Sequence, residues 1–248
     1  MTPQTFDPMQ AYNYGVFVQI AYQMFSDNPG NLTPRVPKNF PAGYRLFAYL
    51  TAADKVGEVD ERKFYGYLAQ SQSDPNIFVG AVRGTEGVLE WLKDAEFVPT
   101  RFTRVPQAGE VEDGFFTIYD SMTAIPFGQQ AQQDLPGLVQ SISHANLTIA
   151  GHSLGSAIAS LWALDVAVNT PVAALACYTL ASPRVGFRAF VNCFNQNVPQ
   201  SFRVYNEPDI VPKLPPLYDH VNGGEQIDSK LDPGIKHSIL CYHVLVPY

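Results

Sequence analysis

The segment Gly151-His152-Ser153-Leu154-Gly155 sets one hydroxyl between two glycines, a G-x-S-x-G arrangement. It lies between a short apolar run, Leu147 to Ala150, and an apolar stretch of helical period that opens at Leu154. In that setting Ser153 sits on a sharp strand-to-helix turn, where glycines are needed because a Cβ would strike the neighbouring strand or helix. The turn would expose the hydroxyl and aim the free N–H groups of the helix start at a developing oxyanion. The plainer alternative is a glycine-rich turn whose serine caps the helix. Ser156, Ala157 and Ala159 are small where such a helix must lie close on a sheet, which favours the nucleophile.

A serine hydroxyl is a weak nucleophile until a base takes its proton, so a histidine and an orienting carboxylate must stand elsewhere. Chain order on such an elbow is Ser, then acid, then His. Of the five histidines, His144 precedes the serine and His152 lies within the elbow, directed away from its neighbour. His220, His237 and His243 remain. Asp165 falls on the order of 18 Å down the helix at 1.5 Å per residue, too far to orient a base. Asp209 stands in Asn206-Glu207-Pro208-Asp209, the loop at the carboxyl end of a strand, where parallel sheets present functional groups. Glu207 is the fallback acid, and an Asx turn beside Pro208 is the bland role for Asp209. His220 opens His220-Val221-Asn222-Gly223-Gly224, read as the start of a hairpin, and His243 lies in an apolar tail. His237 follows the Asp232-Pro233-Gly234 loop, from which its ring can reach over the sheet edge, and spacing favours it over His220.

The elements that must position these groups read as follows. A first helix spans residues 8 to 26 and a Pro/Gly loop follows from Asn28 to Gly43. Strands are expected at Tyr44 to Leu50, Phe64 to Ser71 and Ile77 to Val82. Helical periods cover Phe115 to Ala124 and Gln129 to Ser143. Next come strand Leu147 to Ala150, helix Leu154 to Val168, strand Leu175 to Leu180, helix Phe187 to Asn195 and strand Phe202 to Tyr205. Strands alternating with helices of this length imply an α/β fold with parallel pairing and helices on both faces.

The chain has 248 residues, 46% of them apolar, enough for one domain spanning 1–248 with a full core. A net charge of -7 without a Lys/Arg run argues against a nucleic-acid partner. Charged residues are only 16%, against roughly 25% in typical soluble proteins, which leaves apolar surface for lipid. Cys177, Cys193 and Cys241 allow at most one disulfide and lack the spacing of a zinc or redox site. Tyr14 to Phe25 is interrupted by Gln19 and Gln23 and has no basic flank, so neither a signal peptide nor a membrane span is expected. The chain as numbered reads as cytoplasmic, and as secreted if a leader has been removed.

Several separated motifs resemble the class 3, fungal-type lipase family of α/β hydrolases, over roughly residues 60 to 245. Val82-Arg83-Gly84-Thr85 with Trp91 and Asp94 is similar to the family's F-R-G-[ST] oxyanion loop and its W-x-x-D continuation. Thr179 to Gly186 resembles T-F-G-S-P-R-V-G, and Asp209 to Pro215 resembles the acid motif D-x-V-P-x-L-P. Tyr218-Asp219-His220-Val221 is similar to a structural Y-x-H-V segment, and His237-Ser238 with Tyr242 to the catalytic H-S-x-x-x-Y segment.

The resemblance implies an α/β-hydrolase sheet and a carboxylic ester hydrolase, foremost a triacylglycerol lipase. Phospholipase and feruloyl or short-chain esterase are the alternatives, and an inactive lipase-like binding protein a remoter one. It implies a Ser153, Asp209, His237 triad, oxyanion N–H groups from Thr85 and Leu154, and no cofactor or metal. It further implies a lid near 87–94, with Val88, Leu89, Trp91 and Leu92 apolar, and transient contact with a lipid interface. Glu112 departs from the family's V-H-x-G-F, Val82 from a common Phe, and Ala181 from a common Gly.

Overall fold

The computed structural model describes residues 5–56, 59–85, 97–229 and 237–245. The expected lid, with Val88, Leu89, Trp91 and Leu92, lies outside the described residues.

Helix α1 (Pro8–Asp27) starts where sequence chemistry places it. The Asp7 carboxylate accepts hydrogen bonds from the Met9 and Gln10 N–H groups, and Pro8 supplies a preset φ at the first helical position. Strands β1 (Tyr44–Val56), β2 (Val59–Ser71) and β3 (Ile77–Val82) then form an antiparallel run. A small ribbon, β4 (Pro99–Arg101) with β5 (Glu110–Glu112), precedes α2 (Asp113–Asp120). Strands β6 (Thr123–Pro126) and β7 (Gln133–Asp134) lead into α3 (Leu135–Ser141). The remainder alternates: β8 (Asn146–His152), α4 (Leu154–Asn169), β9 (Ala174–Leu180), α5 (Arg188–Asn197), β10 (Ser201–Asn206) and β11 (Gly224–Ile227).

One nine-stranded sheet runs β11-β10-β9-β8-β3-β2-β1-β6-β7. From β11 through β3 every neighbouring pair is parallel, and this is the half that carries the candidate site. The α/β-hydrolase class follows, with helices on both faces. Phe78, Val82, Leu147 and Ile149 point to one face, packed on α4, while Val79, Ala81 and Ala150 point to the other, packed on α1. Helix α4 is buried all round its first thirteen residues, so it is enclosed on every side instead of lying amphipathic on the surface. The approach is close: a methyl on Gly80 would meet the Trp162 ring at 2.6 Å.

Three expectations are corrected. The helix read over Phe115 to Ala124 is Asp113–Asp120, because Thr123 and Ala124 pair with β1 as strand. The helix read over Gln129 to Ser143 is only Leu135–Ser141, because Thr123–Pro126 and Gln133–Asp134 extend the sheet beyond β1. The hairpin read from His220 is absent among the described residues: Gly224–Ile227 pairs parallel to β10, so residues 207–223 form a long return.

Candidate active site

Strand β8 ends at His152 and α4 begins at Leu154, so Ser153 alone makes the turn, at φ 57° and ψ −129°. A non-glycine residue held there stores on the order of 1–3 kcal/mol of backbone strain. The close packing that enforces it is backbone against backbone. A Cβ at Gly151 would lie 2.2 Å from the Gly155 carbonyl oxygen, and one at Gly155 would lie 2.4 Å from that of Val82. Ser156 pins the helix start to the sheet, its hydroxyl donating to the Leu180 carbonyl and accepting from the Leu180 N–H. The capping alternative fails, since the Ser153 side chain makes no cap hydrogen bond.

Asp209 leaves the end of β10 through a turn closed by its N–H on the Asn206 carbonyl. Its Oδ1 accepts from the Val211 N–H at 3.0 Å, and its Oδ2 accepts from His237 Nδ1 at 2.7 Å. The carboxylate is almost completely buried, so this bond works in a low dielectric where charge-assisted pairs are strong. Asn206 ties the acid loop to the segment that leads to the histidine: its Nδ2 donates to Ser229 Oγ at 3.1 Å, and its Oδ1 accepts from the Ser229 N–H at 3.2 Å.

Ser153 Oγ and His237 Nε2 are both buried, and neither has a hydrogen-bond partner among the described residues. Each such orphan costs roughly 1–3 kcal/mol. With Nδ1 committed to Asp209, Nε2 is the ring atom left to take and return a proton.

The rivals are placed elsewhere. Glu207 is exposed and 3.9 Å from Lys213. His220 Nε2 is hydrogen-bonded to the Pro212 carbonyl, and burial together with the Arg203 guanidinium lowers its pKa to about 4. Asp165 is bound by the Tyr119 hydroxyl at 2.6 Å and by Asn169. Glu112 is buried and caps α2, accepting from the Phe115 N–H, and burial raises its pKa.

Gly84 and Thr85 follow the end of β3. A methyl on Gly84 would lie 2.9 Å from Ser153 Cβ, so the loop abuts Ser153 and glycine is required for the approach. Leu154 is the first residue of α4, and its N–H belongs to the first-turn donors that have no acceptor within the helix. Both expected oxyanion donors therefore belong to backbone beside Ser153.

Three participants escape a reading of the residues alone. Arg83 donates from Nε to the Phe64 carbonyl and from Nη1 to that of Gly84, with its guanidinium 3.5 Å above the Phe25 ring. Tyr22 places its hydroxyl 2.8 Å from the Gly84 nitrogen. The His152 ring, expected to point away from Ser153, lies 4.9 Å from the His237 ring and within hydrogen-bond distance of Tyr22.

A protein-family model described as lipase (class 3) matches residues 79–219. A phospholipase A1-II 3 of Oryza sativa subsp. japonica is 30% identical over 86% of this chain, which spans 64% of that protein's length. A lipase of Rhizomucor miehei is 31% identical over 64% of this chain and 43% of its own. Among solved structures, the native Rhizomucor miehei lipase propeptide complex superposes with a TM-score of 0.66 at 22% identity, covering 94% of this chain and 76% of that one. Lipase II from Rhizopus niveus gives 0.64 at 18%, covering 89% and 80%. The elbow, the acid loop and the strand end that adjoins them all fall within the matched span, and the chain belongs to the class 3 lipase family.

Proposed function

We propose that this chain is a serine carboxylic ester hydrolase acting on acyl lipids, with Ser153, His237 and Asp209 as its triad. The observation that carries the reading is the pair of buried, unpartnered atoms Ser153 Oγ and His237 Nε2, with the far side of the imidazole fixed by Asp209 at 2.7 Å. Ser153 Oγ attacks the ester carbonyl carbon while its proton passes to His237 Nε2. The carbonyl oxygen becomes an oxyanion held by the N–H groups of Thr85 and Leu154. On collapse the ester C–O bond breaks, and the leaving alkoxide oxygen takes the proton from Nε2. Water then attacks the acyl-enzyme, gives one proton to Nε2, and the acid departs as that proton returns to Ser153. Asp209 keeps Nδ1 protonated and stabilises the transient imidazolium. Every step is completed by residues of the chain and water, without a metal or organic cofactor.

Acylglycerol is the first substrate class, held over an apolar rim where Ile210 and Leu240 are exposed beside Asp209 and His237. The phospholipase A1 relatives favour a second reading, a glycerophospholipid ester. A fluorophosphonate probe should label wild type at Ser153 and leave Ser153→Ala unlabelled. Rates on triglyceride emulsion, phosphatidylcholine vesicles and a soluble short-chain ester then rank the substrates. Absence of an adduct with all three esters untouched would instead support a binding protein. We further propose that residues 1–248 act as one domain.

A further inference from the structure

We propose that Tyr22 is a positioning residue for acyl transfer: from helix α1, its hydroxyl fixes both the backbone that carries the oxyanion donor and the His152 ring that lies tilted beside the catalytic imidazole. The inference rests on Ser153 being the nucleophile and deepens that reading by adding the first helix to the machinery.

The geometry is a three-way junction. The Gly84 N–H donates to the Tyr22 oxygen at 2.8 Å, and the same oxygen lies 2.9 Å from His152 Nδ1. The Tyr22 oxygen and His152 Nδ1 share a hydrogen bond whose donor follows the ring's tautomer, and in either tautomer the phenol oxygen keeps a lone pair for the Gly84 N–H. His152 is buried, and burial together with the neighbouring His237 holds its pKa well below the ordinary value, so the ring is neutral. The titratable groups facing it among the described residues are Tyr22 from α1, and His237 and Tyr242 from the last described segment.

The position of Gly84 makes this junction consequential. A methyl there would meet the Tyr22 oxygen at 2.5 Å, the His152 carbonyl oxygen at 2.8 Å and Ser153 Cβ at 2.9 Å. Gly84 is thus wedged between the first helix and the elbow, and Thr85, the next residue, inherits its orientation. Phe25, one turn further along α1, lies under the Arg83 guanidinium, so the same helix grips both residues that precede Thr85. Preorganised donors act only when aimed at the oxygen's position in the transition state, and a shift of that backbone weakens the transition state more than substrate binding.

Tyr22→Phe removes one oxygen and keeps the ring packing, which makes it the direct test. The expected result is a fall in kcat of about 10- to 100-fold with KM changed less than about twofold, since the donor serves only the transition state. Phosphonylation of Ser153 by a fluorophosphonate should slow in parallel, because that adduct also carries oxygen into the hole. His152→Asn should lower kcat as well, and the double variant should fall no more than about threefold below the worse single one, because both disrupt one junction. Equal labelling rates for wild type and Tyr22→Phe, or a kcat loss in the double variant that multiplies the two single losses, would overturn the inference. A wild type that forms no adduct would instead overturn the hydrolase reading, so the two failures are distinguishable.

Discussion

Asn206 holds Ser229 by two hydrogen bonds, one from each end of its amide, while its own carbonyl closes the turn that presents Asp209. The proposed acid and base arrive from different segments, and this buried amide is a bracket tying the Asp209 loop to the stretch of chain that ends at Ser229. Asn206→Ala should cost about 2 kcal/mol of stability from the lost bonds and stranded partners. It should also lower kcat at least about tenfold, as misplacement of an imidazole does. Unfolding curves and initial rates on a soluble ester measure the two, and an unchanged kcat would show that the bracket does not orient the base.

The triad assignment makes graded claims. Ser153→Ala and His237→Ala should each remove about 10⁴-fold or more of the activity, and Asp209→Asn about 10³- to 10⁴-fold, because the imidazole loses its tautomer and its counter-charge. Glu207→Gln should stay within about twofold of wild type, as its carboxylate faces solvent beside Lys213. A large loss in Glu207→Gln with little in Asp209→Asn would reverse the choice of acid.

His220 makes stability depend on pH in a defined direction. Its folded pKa is lowered from 6.5 to about 4 by burial and by Arg203. Between those values the unfolded chain binds a proton that the folded chain refuses, so this residue's contribution falls as pH drops from about 6.5 toward 4, by up to roughly 3 kcal/mol. His220→Gln keeps a donor for the Pro212 carbonyl and should flatten that slope while activity at pH 8 persists. Denaturant titrations across the window that show the same slope in both proteins would refute it.

Ala181 stands at φ 52° where the family commonly has glycine. A Cβ in left-handed backbone costs about 1–2 kcal/mol. Ala181→Gly should therefore stabilise the protein by about 1 kcal/mol, or about 2–4 °C in Tm for a chain of this size. A drop in Tm would mean that the methyl's packing in the core outweighs the strain.

Ile210, next to Asp209 in the chain, and Leu240, in the segment that opens at His237, are exposed apolar side chains, as are Leu217 and Val98, whose neighbours meet where the Tyr218 hydroxyl reaches the Phe97 carbonyl. Leu217 is 81% exposed. If this rim seats on aggregated lipid, Ile210→Ser with Leu217→Ser should cut activity on emulsions about tenfold or more and leave a soluble short ester within about twofold. Equal losses on both substrates would assign these residues to the pocket and not to the surface.

What could be read directly from the residues was local. The turn at Ser153 was legible because its glycines and the switch from strand to helix period fall within a few positions. The place of Asp209 at a strand's carboxyl end was legible because an apolar run precedes its loop. Choosing His237 over His220 needed the longer motif, since the Asp209 bond joins residues 28 apart across loops that carry no periodic signal. Gln129 to Gln132 read as helix because Leu135, Leu138 and Val139 extend a helical stripe backward, yet pairing of Thr123–Pro126 with β1 decides the fate of that stretch. Tyr22 had no signal at all. A tyrosine in an apolar helix is ordinary packing until the strand end it touches is known.

Helix α1 packs on both the Arg83-Gly84 corner and the Cys241-Tyr242 segment beyond His237. A chain ending at residue 229 would therefore lose, along with His237, part of the seat of its own first helix. Removal of those last residues should loosen α1 and the Gly84 corner together, although they lie at opposite ends of the sequence.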